Sequence, residues 1–195
     1  MPKVIGLTGG IGSGKTTIAN YLASKGIPVY IADDAGRKVM QYREVLEAIE
    51  EKFGTAIFDK KQLNRAKLAE IVFNNPGQLK TLNTIVHPVV RKDFKDWLIL
   101  NSEKPLVVYE SAILFESGRY QDFDCIVSVT APLEIRISRV LERDATNREQ
   151  VLSRINAQWT DEQRIAKSDF VIENIDLEMA KAKTDKILKI LSIKQ

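Results

Sequence analysis

The sequence predicts an α/β fold in which a five-stranded parallel sheet is flanked by helices. Two observations predict it. Short runs of consecutive apolar residues recur along the chain without polar alternation, as strands buried on both faces do. Segments with apolar residues at helical spacing separate those runs, which is the pattern of βα units.

In chain order, residues 3–8 form the first buried strand, and Ile18, Tyr21 and Leu22 follow at helical spacing until Gly26 ends the helix. Pro28-Val29-Tyr30-Ile31 is the second strand, Pro105-Leu106-Val107-Val108-Tyr109 the third, residues 125–130 the fourth and Phe170-Val171-Ile172 a short fifth. Residues 38–100 carry no convincing strand. They show helical apolar spacings instead, at Val45, Leu46, Ile49 and Phe53 and at Leu79, Leu82, Val86 and Val89, and are expected to form a helical insert. A helix begins at Pro132, where proline suits the first turn. The final segment, with Leu177, Ala180, Ile187, Leu188 and Leu191 on one face, is expected to close the sheet as a surface helix. Ligands of such sheets bind beyond the carboxyl ends of the strands, near Asp33, Glu110 and Thr130.

Residues 9–16 read Gly-Gly-Ile-Gly-Ser-Gly-Lys-Thr, a complete G-x-x-x-x-G-K-[ST] phosphate loop set between a strand and a helix. Its backbone amides, from Gly10, Ile11, Gly12, Ser13 and Gly14 through Lys15, Thr16 and Thr17, are expected to surround the phosphates of a nucleoside triphosphate. The glycines let backbone approach phosphate without a Cβ in the way. Lys15 neutralises β/γ-phosphate charge, Thr16 is placed to ligate Mg²⁺, and the helix that follows adds its N-terminal partial positive charge.

With 195 residues, 44% of them hydrophobic and 28% charged, the chain is expected to be one soluble domain. No apolar run reaches membrane-spanning length and no leader pattern opens the chain. The lone Cys125 sits inside an apolar strand and suits a buried small hydrophobe. A cytoplasmic location is expected, without a membrane partner. A net charge of +3 with acids and bases interspersed gives no nucleic-acid stripe, so a small polyphosphate is the better basic partner. The oligomeric expectation is a monomer or small homo-oligomer.

A second cationic group follows Pro132. Leu133, Ile137, Val140 and Leu141 occupy one arc of that helix, and Arg136, Arg139 and Arg143 share the neighbouring arc within about 60°. Arg148, Arg154 and Arg164 come next, with Gln158 among them. On their own such arginines read as a solvated face paired with Glu142, Asp144 and Glu149; beside a phosphate loop they suit a lid that neutralises a transferring phosphoryl group. Asp33, just past the second strand, is either a base for an acceptor hydroxyl or, with Asp34, a cap for a helix starting at 34 or 35. Glu110 ends a strand and is either a carboxylate reaching Mg²⁺ through water or a solvated strand end. His87 stands before a helix-kinking Pro88, which favours a structural role.

These pieces resemble, in order and over the whole chain, the dephospho-coenzyme A kinase family: Gly6-Leu7-Thr8 into the loop, Ala32-Asp33 with Arg37, His87-Pro88, Leu114-Phe115-Glu116, and the arginine-rich stretch with Arg143, Arg148, Arg154 and Gln158. The resemblance implies a P-loop kinase fold and transfer of the γ-phosphate of ATP to the ribose 3′-hydroxyl of dephospho-CoA, with Mg²⁺. It further implies a helical CoA-binding part at residues 38–100 and a lid at 136–165 within one domain. By position it makes Asp33 the catalytic base, Lys15, Arg139 and Arg143 catalytic charges, and Arg37, His87 and Glu116 substrate contacts. Three positions depart from the family pattern: Ile31 stands where an acid is frequent, Gly36 where alanine is, and Ala112 where proline is. A nucleoside monophosphate or small-metabolite kinase would share loop, base and lid. A GTP switch would explain Asp33-Asp34-Ala35-Gly36 as D-x-x-G, but no N-K-x-D motif follows.

Overall fold

The computed structural model describes residues 1–60, 62–73 and 75–193. The elements run β1 (Lys3–Thr8), α1 (Lys15–Ser24), β2 (Val29–Ile31), α2 (Ala32–Val39), α3 (Arg43–Phe53), β3 (Phe58–Asp59), β4 (Gln62–Leu63), α4 (Arg65–Phe73) and α5 (Pro76–Leu100). After these come β5 (Leu106–Glu110), β6 (Cys125–Thr130), α6 (Leu133–Arg143), α7 (Arg148–Asn156), α8 (Asp161–Ile165), β7 (Phe170–Glu173) and α9 (Leu177–Ile193). The chain divides into two compact units, one made of Met1–Ile31 with the chain from Asn101 onward, the other of Ala32–Leu100.

The first unit contains the five-stranded sheet in the order β2-β5-β1-β6-β7, every pairing parallel. All five residues of β5 and all six of β6 are buried, which is why these strands are mostly apolar, with Glu110, Ser128 and Thr130 as their polar members toward the carboxyl ends. Each fully buried Val or Ile in them, such as Val107, Val108 or Val129, contributes about 1.5–3 kcal/mol of hydrophobic stabilisation. On one face, Ile18, Ala19 and Leu22 of α1 and Ala180, Ile187 and Leu191 of α9 pack against Ile5, Leu7, Val108, Val127 and Ile172. Leu177, expected on that face, is instead exposed at the first position of α9. Tyr21 is not core either; its hydroxyl donates to Asp185 at 2.9 Å. Cys125 is buried as expected. Register sets Glu110 of β5 opposite Leu7 and Ser128 of β6 opposite Thr8, so the carboxyl ends of three strands meet beside the loop.

The second unit packs α3, α4 and α5 around Val45, Ile49, Ile57, Leu68 and Val72. It is not purely helical. β3 and β4 form an antiparallel hairpin with Phe58 opposite Leu63, and two-residue strands are too short to show any alternation in sequence. Pro88 lies inside α5, which continues to Leu100. No helix among the described residues is long and apolar enough to cross a membrane.

Candidate active site

The phosphate loop joins the end of β1 at Thr8 to the start of α1 at Lys15. Two of its glycines are obligatory by conformation: Gly12 has φ +79° and Gly14, the N-cap of α1, has φ +84°. A Cβ at Gly12 would meet the backbone carbonyl of Arg136, and one at Gly14 the side-chain amide of Asn174. The bare backbone thus answers to α6 and to the residue after β7, where sequence reasoning attributed it to the approach of phosphate alone.

The loop's outward-facing polar groups are held by distant side chains. Arg136 Nε donates to Ile11 O at 2.9 Å, and Ile11 N donates to Gln158 Oε1 at 2.9 Å. Asn174 Nδ2 donates to Ser13 O at 2.9 Å, and Arg139 Nη1 reaches the same oxygen at 3.5 Å while its Nη2 donates to Asn174 O at 2.9 Å. Among the described residues, no hydrogen-bond partner stands against the buried Thr8 Oγ1 or Ser13 Oγ.

Lys15 contacts the carboxylate of Glu110, with side-chain exposures of 10% and 2%. The phosphate-loop lysine is therefore kept beside a buried acid rather than in solvent. Thr16 and Thr17 are exposed in the first turn of α1.

The three arginines expected on one face of α6 separate in the structure. Arg136 is 5% exposed and pairs with Asp161 at 2.9 Å, alongside Ile137 and Val140, which pack with Val151. Leu133 and Leu141, assigned to the apolar arc, are exposed instead. Arg139 lies against the loop, and Arg143, in the last turn, turns back onto Asp144 at 2.8 Å. Asp144 also accepts from Arg154 at 3.1 Å. Arg143 first and Arg154 second hold the Asp144 carboxyl at about 2, well below its usual range. Arg148 grips Glu134 through two bonds of 2.8 and 2.6 Å on the surface. Arg143 and Arg154 thus pair with Asp144 and Arg148 with Glu134, while Arg136 and Arg139 contact the loop.

Glu116 joins a buried polar chain. Its Oε1 accepts from Trp159 N at 2.9 Å and from Arg164 Nη2 at 3.4 Å; Arg164, 0% exposed, also pairs with Asp161 at 3.1 Å, and Asp161 with Arg136. Phe115 stacks on Trp159 with ring centroids 5.3 Å apart. The chain leads from Glu116 to Ile11 O of the loop. Asp161, Arg164 and Asn174 as parts of this arrangement escaped sequence reading; Arg164 was noted only as one more arginine, and an isolated Asn after a short strand carries no signal.

In the second unit, Asp33 is exposed in the first turn of α2. Because α2 starts at Ala32, neither Asp33 nor Asp34 caps a helix beginning at 34 or 35; both favour the positive end of α2 from inside it. Arg37 Nη1 pairs with Asp34 at 2.9 Å on the surface, and Arg65 Nη2 donates to Arg37 O at 2.8 Å. His87 is half-buried on α5. Gly36 has nothing within 4 Å of a built Cβ, so alanine fits there, and glycine costs this helix about 1 kcal/mol without altering its shape.

The dephospho-CoA kinase family profile matches residues 3–178. A curated dephospho-CoA kinase from Fusobacterium nucleatum is 42% identical over 172 residues, 88% of this chain and 89% of its own length. A crystal structure of a Thermus thermophilus protein superposes with TM-score 0.90 at 36% identity, covering 97% of each chain. The dephospho-CoA kinase from Campylobacter jejuni shares the fold, with TM-score 0.65 at 24% identity over 97% of each chain. A match spanning nearly the whole phosphate-loop unit and the helical unit together, on a chain with a complete loop and a buried lysine partner, shows that this chain belongs to the dephospho-CoA kinase family.

Proposed function

We propose that the protein transfers the γ-phosphate of ATP to the ribose 3′-hydroxyl of dephospho-CoA, forming CoA and ADP as the last step of coenzyme A synthesis. The observation that carries this reading is the phosphate loop with Lys15 held beside buried Glu110, in a chain of this family. The reaction breaks the bond from the γ-phosphorus to the β,γ-bridging oxygen and forms one from that phosphorus to the 3′-oxygen. The proton of the hydroxyl passes to Asp33, an exposed carboxylate in the first turn of α2. Lys15 follows the β/γ-phosphate charge, and the backbone amides of Gly10, Gly12 and residues 14–17 bind the phosphates, whereas those of Ile11 and Ser13, also expected there, are given to Gln158 Oε1 and Gly10 O. Arg139, already against the loop, has further N–H groups for phosphate, whereas Arg143 must leave Asp144 to do the same. Arg37, His87 and Glu116 are proposed for the acceptor.

Thr16 and Glu110 are oxygen donors of the kind Mg²⁺ takes, and a nucleotide-bound ion needs only one or two protein ligands. They are proposed to hold it, Glu110 through water. Bound there, Mg²⁺ would neutralise phosphate charge. The same reading makes the protein a cytoplasmic enzyme acting as a monomer or small homo-oligomer. An acceptor panel with ATP tests it: ADP release should be much faster with dephospho-CoA than with nucleoside monophosphates, with CoA as product. Equal rates across the panel would refute the acceptor.

A further inference from the structure

We infer that Asn174 is a positioning residue for the nucleotide's phosphates, acting through the Ser13–Gly14 peptide. This rests on the loop being the triphosphate site. A trans peptide is planar, with its C=O and N–H pointing in opposite directions. Whatever fixes the carbonyl of Ser13 therefore fixes the N–H of Gly14. Two donors meet on that carbonyl: Asn174 Nδ2 at 2.9 Å and Arg139 Nη1 at 3.5 Å. With the oxygen drawn toward Asn174, the Gly14 N–H faces the opposite side, the concave side where an anion sits.

Asn174 is itself held rigidly. It is 3% exposed, its own N–H donates to the carbonyl of Thr130, the last residue of β6, at 2.8 Å, and its carbonyl accepts from Arg139 Nη2 at 2.9 Å. The side-chain amide lies so close to Gly14 that any Cβ there would strike it. Backbone of β6, side chain of Asn174, guanidinium of Arg139 and carbonyl of Ser13 thus form one closed brace. Arg136 does the same two peptides earlier, holding Ile11 O and so orienting the Gly12 N–H. The consequence is a loop whose amides are aimed before the anion arrives, so that binding does not have to supply their ordering.

A brace and a merely structural tie differ in what they change. Removing the Nδ2 donor should weaken every ligand that offers phosphate to the loop and leave the acceptor alone. In the full chain, Asn174→Leu keeps approximate size but loses the donor without adding charge, and Asn174→Ala removes the side chain. Both should raise Kd for ATP, ADP and inorganic tripolyphosphate by a common factor, about tenfold for one lost hydrogen bond. KM for dephospho-CoA and kcat at saturating ATP should stay within about twofold, because the amide holds ground and transition states alike. Lys15→Ala is the control for the loop. If Lys15→Ala leaves ATP affinity unchanged, the triphosphate site is elsewhere and the functional reading fails. If Lys15→Ala weakens ATP while both Asn174 variants bind ATP and tripolyphosphate like the parent, or lose only thermal stability, the brace is refuted. Should both variants fail to fold, hydrogen exchange of the unmodified protein decides: the Asn174 side-chain amide protons should exchange slowly with and without ADP. Exchange as fast as at exposed Asn156 would overturn the inference.

Discussion

Truncating Glu116 to alanine should destabilise the first unit by about 3 kcal/mol, at the low end of the 3–5 kcal/mol range for breaking a buried ion pair from one side. Two consequences set the figure. Trp159 N–H loses its 2.9 Å acceptor, which costs about 1–3 kcal/mol where no water replaces it. Arg164, fully buried, keeps only Asp161, which it already shares with Arg136. Glu116 is partly exposed and its contact with Arg164 is long at 3.4 Å, which places the sum at the low end. At about 2–4 °C per kcal/mol for a chain of this size, the midpoint of thermal unfolding should fall by roughly 6–12 °C. Glu116→Gln keeps an oxygen for Trp159 and loses only the charge, so it should fall less. Calorimetry and urea unfolding of the two variants beside the parent measure this. A Glu116→Ala protein within about 0.5 kcal/mol of the parent would refute the network, the more so if its KM for dephospho-CoA had risen at unchanged stability.

Asp33→Asn should keep ATP affinity while lowering turnover by about a hundredfold or more, since an amide cannot take the hydroxyl proton; unchanged turnover in a steady-state assay would end the base assignment. The carboxyl of Asp144 is depressed from 3.8 to about 2 by Arg143 and Arg154, so its contribution to stability is present above about pH 4 and is lost as pH falls toward 2. Asp144→Asn should therefore be less stable than the parent at pH 6, with the difference shrinking to nothing near pH 2; a difference independent of pH across that window would contradict the pairing.

The sheet strands could be read from the sequence because burial on both faces leaves mostly apolar residues in them, as in β5 and β6. The loop could be read because its glycines and Lys15 lie within eight consecutive residues. The β3–β4 hairpin could not, being two residues a side. Nor could the separation of Arg136, Arg139 and Arg143. Helical periodicity puts them on one arc, but it does not say that Ile11, Ser13 and Asp144 are what each one meets. For Glu116 the resemblance implied a substrate contact, but nothing along the chain shows that its carboxylate meets Trp159 N and Arg164.

By itself the sequence determined that a polyphosphate loop sits between a buried strand and a helix, and which residues bring hydroxyl and ammonium to it, because these depend on neighbours along the chain. Only the tertiary structure decided how the loop is held. The contacts that aim its amides span 125 residues from Ile11 to Arg136, 147 from Ile11 to Gln158 and 161 from Ser13 to Asn174. Hydrogen bonds act over about 3 Å, so partners that far apart along the chain become neighbours only after β1, β6 and β7 have paired.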